Sequence, residues 1–285
     1  MKKIALSTGS RADYFLLAPL MKVLRSHKDF QLQIIASCMH YSPEFGLTYN
    51  QIEKDGFVID EKVEMLLSSE TSSGIAKSMG LGVLSFADVL SRLKPDVLII
   101  LGDRFESLAI AQTALIMKVP IAHLHGGELS EGSYDDAIRH SITKMSSLHF
   151  VSTEAYRRRV IQLGEDPSSV FNMGAIGLQR FQTTKFLSKE EVNSRLNINL
   201  DVPYFVICYH PVTNENENPR KAIREILIAA KNFSKYKIFI SYPNADNGGS
   251  IIIEEIEKFL HENPDKVILS KSLSDDLFLS VVKNS

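Results

Sequence analysis

The chain has 285 residues, of which 44% are hydrophobic and 23% charged, the composition of a folded globular protein with enough chain for about two domains. Lysine plus arginine total 32 against 34 for aspartate plus glutamate, a formal charge of -2, so no global field favours nucleic acid or an anionic membrane surface, and any anionic ligand must be met locally. Two cysteines, Cys38 and Cys208, are too few for a disulfide framework and fit inert strand thiols in a reducing cytoplasm.

At the N-terminus Ile4, Ala5 and Leu6 give way at once to Ser7, Thr8 and Gly9, too short a run for a signal peptide. No stretch of about 18 uninterrupted apolar residues suggests a membrane span. Short apolar runs at 4–8, 32–37, 96–101, 120–124 and 149–152 read as strands. Amphipathic stretches at 16–25, 105–117, 135–145 and 154–163 read as helices. Strands that are apolar almost throughout belong to a parallel sheet covered on both faces. After 170–174 the texture turns polar, and Ser188 with Glu191 forms a capping box that opens a helix. A second series follows, with strands at 204–209, 237–242 and 266–269 and helices at 220–233, 250–261 and 274–283. The expected organisation is α/β, with a Rossmann-like domain over 1–176, a linker region over 177–200 and a partial second Rossmann-like domain over 201–285. Three strands are fewer than such a sheet usually carries.

In an open parallel sheet, ligands bind beyond the carboxyl ends of the strands. The polar outliers fall there. The first strand leads into Gly9, Ser10, Arg11 and Asp13. At this turn Arg11 can clamp a phosphate that the helix N-terminus also attracts, and Asp13 serves either the ligand or a helix cap. The glycine spacing matches neither the dinucleotide fingerprint nor a Walker loop. The strand at 96–101 leads into Gly102, Asp103, Arg104 and Glu106, where Asp103 stands at the lip of the sheet or caps the next helix, with Glu106 as the other half of a capping box.

His123 and His125 are expected to part, one into the packing and one into the cleft, without forming a two-histidine metal site. His125, beside Gly126 and Gly127, is the better cleft candidate. Asp135 and Asp136 open a helix in which Arg139 and His140 follow one turn later, so Asp135 and Arg139 can pair at i and i+4. Arg157, Arg158 and Arg159 read as an exposed helix face. His210 ends a strand before Pro211 and suits proton transfer or a diphosphate.

The ordered set Ser7-Thr8-Gly9-Ser10-Arg11-Ala12-Asp13-Tyr14, Gly102-Asp103-Arg104, His123-Leu124-His125-Gly126-Gly127-Glu128, Asp135-Asp136-Ala137-Ile138-Arg139-His140, His210-Pro211-Val212-Thr213 and Pro243-Asn244-Ala245-Asp246 resembles the hydrolysing UDP-N-acetylglucosamine 2-epimerases and their relatives acting on diacetylated bacillosamine nucleotides. The resemblance implies a GT-B arrangement of two Rossmann-like domains, a UDP-sugar substrate, no cofactor or metal, a homo-oligomer, and a place in nonulosonic acid synthesis. It assigns catalysis to Asp103, His125, Glu128, Asp135 and His210, and substrate binding to Arg11, Asp13, Arg139 and Asn244. Arg139 is expected to support Asp135. His125 stands where many family members carry a catalytic glutamate, so that role passes to His125 or to Glu128. The chain also ends before the family's later Gly-Asn-Ser-Ser-Ser-Gly loop, which implies C-terminal truncation. A GT-B glycosyltransferase and a binding-only fragment stay open as alternatives.

Overall fold

The computed structural model describes residues 1–69, 71–210, 218–243, 249–270 and 273–285. The chain divides into two units, Met1–Gln182 and Thr183–Ser285. The first is built on seven parallel strands, β1 (Lys2–Thr8), β2 (Phe30–Ser37), β3 (Glu61–Val63), β4 (Val97–Leu101), β5 (Ile121–Leu124), β6 (Leu148–Val151) and β7 (Val170–Asn172), in the order β3-β2-β1-β4-β5-β6-β7. Its helices are α1 (Arg11–Ser26), α2 (Tyr49–Lys54), α3 (Ser72–Leu93), α4 (Phe105–Ile116), α5 (Asp135–Met145), α6 (Glu154–Gln162) and α7 (Ile176–Thr183).

The apolar strands of the middle of this sheet explain its layering. Leu98, Ile99, Ile100 and Leu101 of β4 are all buried, which requires cover on both faces. On one face Leu6, Ile4, Ile99 and Leu101 meet Tyr14, Leu17 and Met21 of α1 in a single core. The strand order reverses between β1 and β4: β1 connects onward to β2 on one side, and β4 to β5 on the other. Such a switch point opens a crevice at the carboxyl ends of the two strands. The turns after β1, β4 and β5 meet there.

β3 and α3 carry little strand or helix signal in the sequence. β3 is only three residues long. α3 begins in Ser72, Ser73 and Gly74, with Thr71 accepting from the Gly74 amide at 3.1 Å as its N-cap. It stops at Lys94, whose left-handed backbone precedes Pro95. Gly82 lets α3 lie close to its neighbours, since a Cβ there would stand 2.7 Å from Met65 and 3.3 Å from Ala109 of α4. Among the described residues α3 is the helix that is long and apolar enough to cross a membrane by length and composition, although no unbroken apolar run marks it.

The second unit contains α8 (Lys189–Leu196), β8 (Tyr204–Ile207), α9 (Pro219–Lys231), β9 (Lys237–Ser241), α10 (Gly249–Glu262), β10 (Val267–Ser270) and α11 (Asp275–Lys283), with a parallel sheet in the order β10-β9-β8. Alternation along β9 sends Ile238 and Ile240 to a core with α9 and α10, and Phe239 to a second core with α8 and α11. The stretch 177–200, expected as a linker, is structured from both sides. Gly177 lies close against Leu16, whereas Leu187, Val192 and Leu200 are buried in the core of the second unit. Its polar composition is that of a helix with one buried face. The capping box of Ser188 and Glu191 forms as expected.

Candidate functional site

The turn after β4 carries Asp103 and the turn after β5 carries His125 and Glu128, and Arg139 of α5 joins them. The Arg139 guanidinium is 8% exposed. Its Nη2 donates to Asp103 Oδ2 and its Nη1 lies 3.7 Å from Glu128 Oε2. Nη2 also donates to Ser130 Oγ at 3.0 Å. Two carboxylates from different strand ends are thus held on the two terminal nitrogens of one buried cation, a geometry that a planar fork permits and a lysine does not. Asp103 Oδ1 takes no hydrogen bond from the described residues. Asp103 is not a helix cap: α4 is preceded by Arg104, which makes no side-chain cap bond.

Glu128 has one saturated and one open oxygen. Its Oε1 accepts from Ser152 Oγ at 2.5 Å and lies 2.9 Å from His125 Nδ1, while Oε2 faces only Arg139. Burial raises the Glu128 carboxyl, but the hydrogen bonds from His125 and Ser152 outweigh it and hold the group below its ordinary value. The His125 tautomer follows from its other contact. The Ile176 amide donates to Nε2 at 3.2 Å, so Nε2 supplies a lone pair and Nδ1 carries the proton given to Glu128. His125 therefore positions Glu128 and ties the β5 turn to the start of α7.

Pleat alternation alone would place residues 123 and 125 on the same face. They part because β5 ends at Leu124 and His125 takes a left-handed backbone with φ 64°. His123 is fully buried, with Nε2 2.8 Å from the Gly102 carbonyl and Nδ1 3.1 Å from Thr143 Oγ1. A carbonyl only accepts, so Nε2 carries the proton and Nδ1 receives the threonine hydroxyl. Burial pushes this imidazole down to about 4, which keeps it neutral. Gly127 is required by its own turn, for its φ is 76° and a Cβ would stand 2.7 Å from the Tyr156 carbonyl.

Asp135 does not join this cluster through the described contacts, and the expected support from Arg139 is absent. Arg139 turns inward to Asp103, while Asp135 Oδ2 accepts from Ser133 Oγ and the Asp135 amide donates to the same oxygen at 3.1 Å. Asp136 shapes the loop before α5 by accepting from the Ser130 amide at 3.0 Å.

A second carboxylate–arginine group lies under the turn after β1. Ser10 and Asp13 form a capping box, in which Asp13 Oδ2 accepts from the Gly9 and Ser10 amides at 3.2 and 3.1 Å. Asp13, expected to bind substrate, spends this oxygen on the loop itself. Glu106 is buried beneath, and Arg104 Nε donates to its Oε1 at 2.8 Å. Gly9 rests on that side chain: a Cβ at Gly9 would stand 2.4 Å from Glu106 Oε1. Burial first, and then the Glu106 charge, raise the Asp13 carboxyl to about 6. Arg11 is the first residue of α1 and is partly exposed, beside the loop that this group shapes.

Several participants carry no signal in the sequence. Ser130 and Ser152 are ordinary loop residues until the fold brings them to Arg139 and Glu128. Of the three arginines read as an exposed face, only Arg158 fits. Arg157 donates to the Val170 and Pro167 carbonyls at 3.1 and 3.2 Å, and Arg159 to the Gly127 carbonyl. No cluster of histidine, cysteine, aspartate or glutamate suited to a metal occurs among the described residues. In the second unit, His210 is exposed just after β8, and Asn244 lies outside the described residues.

The doubly covered parallel sheet, its switch point and the carboxylates gathered beyond β4 and β5 define a Rossmann-like α/β protein with a ligand crevice at its strand ends. The chain belongs to the UDP-N-acetylglucosamine 2-epimerase family, whose description matches residues 22–285. It is 40% identical over 282 residues to the GDP/UDP-N,N'-diacetylbacillosamine 2-epimerase (hydrolyzing) of Campylobacter jejuni, covering 99% of this chain and 73% of that protein. It is 37% identical to polysialic acid biosynthesis protein P7 of Escherichia coli, covering 100% of this chain and 72% of the relative. In fold it is similar to the UDP-GlcNAc 2-epimerase of Neisseria meningitidis, solved bound to UDP-GlcNAc, with a TM-score of 0.81 at 19% identity over 100% of this chain and 76% of that one.

Proposed function

We propose that the chain is a hydrolysing 2-epimerase that converts a UDP-linked N-acetylated sugar into UDP and the free sugar inverted at C2. The observation that carries this reading is the pair Asp103 and Glu128, presented on one buried guanidinium, Asp103 with Oδ1 open and Glu128 with Oε2 facing only Arg139. The similarity to the diacetylbacillosamine enzyme favours a sugar with a 4-acetamido group. A nucleotide-sugar substrate and the scarcity of cysteines favour a cytoplasmic setting.

The chemistry makes specific demands. The C2 hydrogen is not beside a carbonyl, so the C1–O bond breaks ahead of proton removal and its electron pair leaves with UDP. The ring acquires oxocarbenium character, which nearby carboxylates stabilise. A base then takes the C2 proton, leaving a glycal with a C1–C2 double bond. A proton added to C2 from the other face and hydroxide from water added to C1 complete the inverted sugar. In this scheme Asp103 or Asp135 is the base or the oxocarbenium partner. Glu128, which Ser152 and His125 hold ionised at rest, is the second proton carrier: it takes a proton from the water that adds to C1 and passes it to C2. Arg139 sets the carboxylates, and Arg11 with the N-terminus of α1 meets the diphosphate, on a loop held by Asp13. His210, just past the end of a strand, meets the diphosphate or moves a proton, and Asn244 binds substrate by resemblance.

Asp103→Asn keeps the shape and removes the charge. Turnover, followed as UDP release, is expected to fall by about 10² to 10⁴, with the thermal melt retained. Near wild-type turnover would remove Asp103 from the mechanism.

A further inference from the structure

Arg157, Arg158 and Arg159 follow one another on α6, and the fold gives each a different task. Arg158 lies in solvent, its side chain 79% exposed, within 3.8 Å of Glu154. Arg157 ties α6 to the start of β7 and the loop before it, through the Val170 and Pro167 carbonyls. Arg159 turns the other way. It is partly buried, and its Nη1 donates to the carbonyl of Gly127. Among the described residues it has no carboxylate partner, so a cation that burial makes costly is directed at one backbone oxygen.

That oxygen belongs to the peptide joining Gly127 to Glu128. The turn is pressed between two helices. A Cβ at Gly126 would stand 2.9 Å from Thr143 Oγ1 of α5, and one at Gly127 would stand 2.7 Å from the Tyr156 carbonyl and 2.8 Å from Val160 Cγ2 of α6. Close packing requires both glycines, and the same two glycines leave the backbone free to turn the 127–128 peptide over. Reversing that peptide carries its carbonyl away from α6 and re-aims the Glu128 side chain, which otherwise meets Ser152 at 2.5 Å and His125 at 2.9 Å. A charged donor on α6 selects one of the two orientations. Arg159 is itself held for this task, with its guanidinium 5.4 Å from the centre of the Tyr156 ring one turn back along the helix.

We propose that Arg159 is a positioning residue for the reaction: by holding the Gly127 carbonyl it fixes the 127–128 peptide and so presents Glu128 to Ser152, His125 and Arg139. The proposal deepens the reading of Glu128 as the second proton carrier and rests on it. That role falls after C1–O cleavage and removal of the C2 proton, when the glycal awaits a proton at C2 and water at C1. With Glu128 misplaced, the first half of the reaction still runs on the remaining carboxylates. UDP leaves with the electron pair of the C1–O bond, the proton taken from C2 passes to solvent, and the glycal escapes before it is hydrated.

Kinetics of the full chain, with NMR of the released products, tests it. Arg159→Ala is expected to lower kcat for the inverted sugar about 10²-fold, with KM within about threefold of wild type and the thermal melt retained. Free glycal, as a share of the UDP formed, should rise several-fold. Arg159→Lys keeps one donor for the carbonyl and should recover about tenfold of the lost rate. On the same helix, Arg158→Ala should leave kcat within about twofold of wild type, and Arg157→Ala should lower the melt without raising the glycal share. Near wild-type kcat in Arg159→Ala, a lysine variant no faster than the alanine one, or a loss of rate with the glycal share unchanged would each overturn the proposal; the last is what a merely structural role gives. A wild type that releases UDP without inversion at C2 would defeat the reading of the reaction separately. Crystal structures then decide the positioning: in Arg159→Ala, Glu128 is expected to leave hydrogen-bond distance of Ser152 Oγ, and an intact Glu128–Ser152 bond there would overturn the proposal.

Discussion

Two carboxylate–arginine groups begin at adjacent residues of one turn, Asp103 and Arg104, and they are assembled to opposite ends. Around Arg104, Glu106 is 2% exposed, Gly9 lies directly on it, and Asp13 spends an oxygen on two backbone amides. That group is closed, and its work is to fix a loop. Around Arg139, Asp103 and Glu128 remain about a fifth to a quarter exposed, and each keeps an oxygen that no amide or hydroxyl occupies. That group is open, and it can receive a proton or face a developing positive charge. Burial, more than residue type, separates the closed group from the open one.

The sharpest way to break this comparison is at Arg139 itself. Arg139→Ala leaves two partly buried carboxylates facing each other without their cation. It is expected to cost about 3–5 kcal/mol of stability, read by chemical denaturation, and to abolish UDP release. Arg139→Lys keeps the charge but loses the fork, so turnover should fall further than stability. Unchanged turnover in Arg139→Lys would show that the shared guanidinium geometry is dispensable.

A smaller effect is expected at Gly9. Its Cβ would press on Glu106, so Gly9→Ala should cost about 1–3 kcal/mol and raise KM for the nucleotide sugar more than it lowers kcat, because the loop it disturbs carries Arg11. Glu106→Ala in the same chain removes the obstruction and should recover part of the Gly9→Ala stability loss.

The smallest effect is a slope. The Asp13 carboxyl is raised from 3.8 to about 6, so between these values the native chain holds a proton that the unfolded chain has lost. Its contribution to stability is therefore greatest at the acidic end of the window and declines as pH rises from about 4 to about 6. Asp13→Asn can still accept from both amides but cannot titrate. Its stability should gain on wild type across that window, as measured by denaturation at successive pH values. A parallel course for the two proteins would show that Asp13 titrates normally.

What the sequence discloses about this molecule follows from how each feature is encoded. β1, β4 and β5 are legible because strands buried on both faces are apolar throughout, and their polar exits mark Gly9, Asp103 and Glu128. α3 is hard to read because it opens in Ser72, Ser73 and Gly74 and carries Gly80 and Gly82 further on; at Gly82, close packing against Met65 and Ala109 overrides poor helix propensity. The partner of Arg139 is misread for a related reason: i and i+4 spacing favours Asp135, but the face that α5 buries turns Arg139 inward to Asp103. The parting of His123 and His125 depends on one left-handed residue, and the roles of Ser130, Ser152 and Arg159 on tertiary neighbours. The parting is expected, but neither the left-handed residue that causes it nor these tertiary neighbours have a local pattern to announce them.

The central claim is that the open carboxylates remove and replace the proton on C2. Incubating the full chain with UDP-N,N'-diacetylbacillosamine or UDP-N-acetylglucosamine in deuterated water, with NMR of the released sugar, tests it most directly. The account predicts UDP together with a free sugar inverted at C2 and carrying deuterium there. A released or transferred sugar that keeps its original hydrogen and configuration at C2 would contradict it.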